Sequence, residues 1–212
     1  FTLRNEEIGD ISVVNKWDRQ TSLIDTEVKI IHNGRTNFTG QGYFNPFSKN
    51  LQYTLDADRF PLGLLGTVIR STFSNFHGDG SGKIVVSGTP EKLFMDGAVY
   101  AANAGLTIDF TQVSYHLNDS IRFKNDVIRF DRIEMKDVLG NRGIFNGTIR
   151  HDNFRNMDYN LMVTSNQILA MNTTGRHNDN FYGRVEGRGN LRITGKGTDV
   201  RMAGEATTLP GT

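Results

Sequence analysis

Apolar and polar residues alternate with a period of two along most of the chain. Leu51, Tyr53, Leu55 and Ala57 alternate with polar neighbours, as do Leu106, Ile108 and Phe110, and Tyr159, Leu161 and Val163. Shorter runs pair Ile121 with Phe123, Ile128 with Phe130, Ile133 with Met135, Leu191 with Ile193 and Val200 with Met202. Such alternation puts one set of side chains on one face of a strand and the other set in water. Clusters such as Asn45-Pro46, Asn118-Asp119, Asn125-Asp126, Gly140-Asn141 and Asp152-Asn153 punctuate the runs with turn chemistry. The pattern predicts an all-β chain, a meander of short strands that is mostly antiparallel.

One segment departs from the two-residue period. After Pro61 the apolar residues Leu64, Leu65, Val68, Ile69, Phe73 and Phe76 recur at spacings of three and four. This predicts a single amphipathic helix over about 62–75, with Pro61 beside its first turn and Gly78 beyond its end. Its apolar side is expected to pack on the sheet.

A longer period lies over both. GKIVVSGTPEKLFMDG, from Gly82 to Gly97, overlays GNLRITGKGTDVRMAG, from Gly189 to Gly204, at a constant offset of 107 residues. Ile84 meets Leu191, Val86 meets Ile193, Gly88 meets Gly195 and Leu93 meets Val200. Phe38-Thr39-Gly40 meets Phe145-Asn146-Gly147 at the same offset, and Tyr53 and Leu55 meet Tyr159 and Leu161 at 106. The chain therefore reads as one elongated β domain, 1–212, made of two similar units at about 38–105 and 145–208, and as a fragment of a longer protein. The helix is not duplicated, because Ile168 to Phe181 reads as a strand followed by a polar loop.

Composition removes several classes of chemistry. Lys and Arg number 24 against 23 Asp and Glu, so no net field attracts nucleic acid or an anionic membrane surface. The absence of cysteine rules out disulfides, thiolate nucleophiles and Cys-ligated zinc. His32, His77, His116, His151 and His177 are scattered, and none forms an H-x-x-x-H pair. Asp56 and Asp58 read as the solvated face of a strand, and Gly78, Gly80 and Gly82 as turn glycines, since they stand in the reverse of the order that aims a helix N-terminus at phosphate. Arg184, Arg188, Arg192 and Lys196 alternate with apolar residues, the pattern of a strand's solvent face and not of an RNA-binding tract. The sequence predicts no enzyme: no catalytic residue, metal site or cofactor.

What remains is the apolar stripe. In a closed sandwich, alternate apolar residues fill a core; in an open, strongly curved sheet, they line a groove suited to acyl chains or other apolar cargo. Alternation fits both, and repetition favours the open form, because stacked units extend one apolar surface along an axis. The residues expected to line it are Ile84, Val86, Leu106, Ile108, Phe110, Leu161, Val163, Leu191 and Ile193.

The phrase FPLGLLGTVIRSTFSNFHGDGSGKIVVSGTPEKLFMDGAVY, followed by AGLTIDFTQVSYHL, resembles the C-terminal conserved region of the TamB family in its Bacteroidetes form, a branch of the AsmA-like proteins. NTTGRHNDNFYGRVEGRGNLRITGKGTDVRMAGEATT is similar to the later part of that region, and the resemblance covers about Thr39 to Thr208. It implies an elongated β-taco with an apolar concave face, belonging to a periplasmic protein anchored in the inner membrane of a Gram-negative bacterium. It also implies an outer-membrane barrel of the TamA or BamA type as partner, with phospholipid acyl chains as cargo and nascent outer-membrane proteins as further clients. Arg192 and Arg201 depart from a clean apolar repeat, and facing inward they would interrupt the groove.

Three readings follow. The chain is a lipid conduit, or a scaffold whose sheet edge adds a strand from a client or a barrel, or, third, an adhesin built as a closed sandwich. An accessible trough would exclude the last.

Overall fold

The computed structural model describes residues 2–3, 6–7, 9–67, 73–109, 111–153, 155–176, 182–197 and 199–208. Alternation becomes strand almost throughout. The strands are β1 (Thr2–Leu3), β2 (Glu6–Glu7), β3 (Asp10–Asp18), β4 (Leu23–His32), β5 (Arg35–Phe44), β6 (Leu51–Pro61) and β7 (Phe73–Thr89). They continue with β8 (Lys92–Ile108), β9 (Val113–Asn125), β10 (Val127–Asp137), β11 (Arg142–Asp152), β12 (Arg155–Thr173), β13 (Gly183–Lys196) and β14 (Asp199–Thr208). β1 and β2 pair with each other, and the other twelve form one sheet in strict chain order. Every pairing is antiparallel, so the sheet is a pure meander.

Two expectations need correction. Several strands are long: β7 and β8 have 17 residues each and β12 has 19. The alternation at Leu106 and Ile108 is the end of the single strand β8, which begins at Lys92. The predicted helix is instead one 3₁₀ segment, Leu62–Thr67, and β7 has begun by Phe73; residues 68–72 lie outside the described ones. The Ser74-to-Thr107 ladder explains the loss, because Phe73 pairs with Ile108 in the sheet. Within the segment Leu62, which is not one of the residues of the predicted apolar side, is buried against Ala101 and Ala104, with Phe76, Leu117 and Ile121 around it.

Bulges run across the sheet on alternate strands. The register shifts between Ala57 and Phe60 in β6, between Ala101 and Ala104 in β8 and between Phe130 and Ile133 in β10. At each shift one residue turns left-handed, Arg59 at φ 51°, Asn103 at 48° and Arg132 at 53°. The next strand supplies an acceptor for the amide so displaced. Arg59 N donates to Ser81 Oγ at 2.9 Å, Asn103 N to Asn118 Oδ1 at 2.6 Å and Arg132 N to Asn146 Oδ1 at 3.2 Å. Each bulge thus avoids an orphaned donor while sharpening the local twist.

The twist curls the central strands until non-neighbours touch. Tyr115 in β9 donates its hydroxyl to Leu169 O in β12 at 2.8 Å, and Asn172 N reaches Thr111 O at 2.8 Å. At the opposite rim Asn153 accepts from Leu93 N at 2.8 Å and donates to Glu91 O at 2.8 Å and Pro90 O at 3.1 Å. Inside this curl, Ile133 is 0%, Val113 1% and Leu169 1% exposed. Elsewhere the sheet stays open. The whole chain exposes 13319 Å², against roughly 9,900 Å² for a compact globule of this mass.

Candidate apolar trough

Pairing registers decide which side chains share a face. In β7, Ile84 stands between Leu55 of β6 and Gly97 of β8, and Val86 stands between Tyr53 and Met95. Gly97 leads on to Phe123, Phe123 to Ile128, and Ile128 to Ile149. In the later strands Phe145 pairs with Val163 and Val163 with Leu191, while Gly147 pairs with Leu161 and Leu161 with Ile193. The bulge in β8 restores Leu106 and Ile108 to the same side, opposite Tyr115 and Val113. Eight of the nine residues expected to line the trough therefore share one face of one sheet. Phe110 lies outside the described residues.

Burial varies along that face. Leu161 is 7% exposed, whereas Ile84, Val86, Leu106, Ile108, Val163, Leu191 and Ile193 are half-buried. One sheet contains all twelve strands, so no second sheet among the described residues covers them. Tyr159, on the same face beside Gly195, is half-buried, and that burial raises its hydroxyl pKa.

Glycines recur on this face beside its largest side chains: Gly42 opposite Tyr53, Gly97 opposite Phe123, Gly147 opposite Leu161 and Gly195 opposite Tyr159. At two repeated places the glycine is obligatory. Gly88 and its counterpart Gly195 have φ of 113° and 137°, and a Cβ on them would lie 2.2 Å from Lys92 O and 2.0 Å from Asp199 O. Gly82 and Gly189, at φ 154° and 149°, would collide in the same way with Ala98 O and Glu205 O. No L side chain fits there without moving the adjacent strand.

The hairpins that contain these glycines have matching registers. Ile84 pairs with Gly97 as Leu191 pairs with Gly204, and Gly40 pairs with Leu55 as Gly147 pairs with Leu161. The junction between the hairpins differs. Leu55 pairs with Ile84, but Leu161 pairs with Ile193 and not with Leu191. The slip is two residues, and an even slip keeps every side chain on its face.

The other face is charged and balanced. Asp56 pairs with Lys83 at 3.2 Å, Arg122 with Asp131 at 2.6 Å, and Lys124 with Asp96. Such exposed pairs stabilise little and mainly keep this side in water. Asp58 is likewise exposed and sits 3.7 Å from Arg59. Arg192 pairs in register with Met162 and Ala203, and Arg201 with Thr194. Both arginines are exposed on this outer face and leave the apolar side uninterrupted. Of the described histidines, His77 and His116 come together, with ring centroids 5.4 Å apart. Among the described residues no group of three His, Cys, Asp or Glu could hold a metal.

Two features had gone unread in the sequence. The apolar face continues past the repeat onto β3 to β5, where Val13 pairs with Val28 and Trp17 with Ile24. The doublet Val13-Val14 had hidden the alternation there. The second is the clasp around Asp137, which is 3% exposed. Its Oδ2 accepts from Leu169 N at 2.6 Å, and its Oδ1 from Leu139 N and Asn141 N, each at 2.9 Å. Burial, and then the charge of Asp137, hold the Tyr115 hydroxyl well above its ordinary pKa. The partners lie 32 to 54 residues apart in sequence, so no local pattern announces them.

Residues 131–212 match the family model of the TamB C-terminal domain. That segment runs from within β10 through β14 and is similar to the TamB C-terminal domain. The match covers less than half the chain, and the FPLGLLG phrase that carries much of the resemblance lies outside it. No curated protein and no solved structure matches the chain. No helix among the described residues is long and apolar enough to cross a membrane.

Proposed function

We propose that the chain is a non-enzymatic part of the translocation and assembly module, in which the apolar face shields phospholipid acyl chains as they pass between inner and outer membranes. The observation that carries this reading is the apolar face shared by a single twelve-stranded sheet, which no second sheet among the described residues covers. Each methylene removed from water contributes about 0.8 kcal/mol, so a dozen contribute on the order of 10 kcal/mol before losses. Non-directional contact of this kind holds a chain without fixing its position, which suits sliding.

The TamB match supports the remaining elements of the proposal: a periplasmic setting, a parent protein anchored in the inner membrane, and a TamA- or BamA-type barrel as partner. With them goes the division of one elongated domain into two similar units, about 38–105 and 145–208. Photocrosslinking from positions 84 and 86 in intact cells tests the conduit. Lipid adducts are expected at both, and Val86→Asp should abolish those at 84 while protease resistance stays unchanged. Undiminished lipid adducts in that variant would sink the proposal.

A second reading rests on the ends of the sheet. The meander terminates on β3 and β14, and each offers a strand edge for β-augmentation by a client or a barrel. This scaffold role predicts crosslinks from Val200 or Ala203 to protein, with none to lipid from position 84.

A further inference from the structure

We propose that the rim formed by Trp17 and Phe47 docks on a lipid bilayer surface, with Phe47 entering the boundary between headgroups and acyl chains. Phe47 is 78% exposed in the turn between β5 and β6, and Trp17 at the end of β3 is 45% exposed. Their ring centroids are 6.5 Å apart. Trp17 ends the apolar face, in register with Ile24, Phe44 and Leu51. A bilayer touched at this rim is therefore continuous with the trough.

The turn is built to enter an apolar boundary. Three of its backbone donors are satisfied internally: Asn45 N reaches Asn50 O at 2.8 Å, and Asn45 Oδ1 accepts from Phe47 N at 2.9 Å and Ser48 N at 3.0 Å. A segment meeting a protein partner gains from free donors, whereas one meeting hydrocarbon must satisfy its own. Of the basic residues around it, Lys49 in the same turn lies 3.6 Å from Glu91 in an exposed ion pair, and Arg19 in the neighbouring turn is exposed and can face lipid phosphate. The nearby Asp18 carboxylate is turned into its own loop, where Oδ1 accepts from Gln20 N at 2.8 Å. An aromatic pair between apolar depth and basic flank is the arrangement that anchors at membrane interfaces. Val138 and Leu139 are also exposed, but they are aliphatic and lie at the closed part of the sheet, in the loop held by Asp137.

This docking stands apart from acyl-chain transport, and one experiment separates them. Trp17 is the only tryptophan in the sequence, so its emission reports this rim alone. Purified protein is mixed with vesicles of phosphatidylethanolamine and phosphatidylglycerol, then with vesicles whose acyl chains carry bromine. A blue shift and bromine quenching are expected, and Phe47→Ser should weaken co-sedimentation roughly tenfold or more. Val86→Asp should leave docking unchanged while reducing capture of lysolipid monomers, so loss of the trough reading would leave the rim reading intact. No emission change on adding vesicles, co-sedimentation insensitive to Phe47→Ser, or a concentration-dependent dimer whose Trp17 shift needs no lipid would each overturn the proposal.

Discussion

Strands β3 to β5 and strands β9 to β12 present the same apolar face with opposite degrees of closure. In the first region Ile11, Val13 and Trp17 are 42%, 55% and 45% exposed; in the second Val113 and Ile133 are 1% and 0%. Residue type does not separate them. Val13, within the edge strand β3, and Val113, at the start of the interior strand β9, are the same side chain on the same face. The difference lies in backbone irregularity. Around β8 to β12 the ladder shifts at Ala101/Ala104, Phe130/Ile133, Ser165/Ile168 and Leu169/Met171, whereas from β3 to β5 it shifts once, between Ile30 and Ile31, and β3 pairs with β4 without a shift. A regular strand keeps the sheet open, while repeated bulges coil it until the long β12 passes the short β10–β11 hairpin and reaches β9.

Paired substitutions test this contrast most severely. Ile133→Ala should cost about 2–5 kcal/mol, because the closed curl cannot collapse around the missing volume. Ile84→Ala should cost under about 1.5 kcal/mol, since its side chain already meets solvent. Denaturant titration of both variants measures the ratio, and equal costs would mean that the trough is covered.

Next in size is Gly195→Ala, expected to destabilise by roughly 1–3 kcal/mol, since the new Cβ meets a neighbouring backbone oxygen at positive φ. Gly34, at φ 72° with nothing nearby, isolates the conformational part of that cost. Gly34→Ala should cost about 1 kcal/mol or less.

Tyr115→Phe should cost about 1 kcal/mol at neutral pH by leaving Leu169 O without its partner. Its pH signature is more specific. The folded-state pKa of Tyr115 is raised above the ordinary value of 10.0, so its contribution is complete below that value and fades as pH rises through and beyond it. Thermal melts should therefore show a steeper alkaline loss for the native protein than for Tyr115→Phe. Parallel curves would remove Tyr115 from the clasp.

The smallest effect has the opposite sign. Arg132 sits in the left-handed region at the β10 bulge, so Arg132→Gly should be neutral or stabilising by up to about 1 kcal/mol. A large loss would show that the bulge needs the arginine side chain.

Much of the architecture was legible because the β period is short and local. The alternations at Leu51 to Ala57 and Tyr159 to Val163 became β6 and β12, and the turn clusters at Asn125-Asp126 and Asp152-Asn153 became strand ends. The helix at 62–75 was misread because spacings of three and four also arise from a short 3₁₀ segment and the phenylalanines of the strand that follows it. Strand lengths were underestimated because bulges such as the one at Asn103 break the alternation without breaking the strand. That eight of the residues expected to line a trough share one face was readable, since an even period places them together in whatever sheet forms. Whether they were covered was not readable.

By itself the sequence determined the β class, the sidedness of each strand and the repeated glycines, because these follow from the two-residue period and from local backbone sterics. The order of the twelve strands adds little more, since short turns force neighbours in sequence to pair. Tertiary structure alone decided where the sheet curls shut and where it stays open. That choice rests on Tyr115 meeting Leu169, Asp137 meeting Leu169 and Asn153 meeting Leu93, contacts between residues 32 to 60 positions apart. The GKIVVSG and GNLRITG phrases mark the same hairpin twice; only a two-residue slip at the junction, invisible in either phrase, sets Leu161 against Ile193 instead of Leu191.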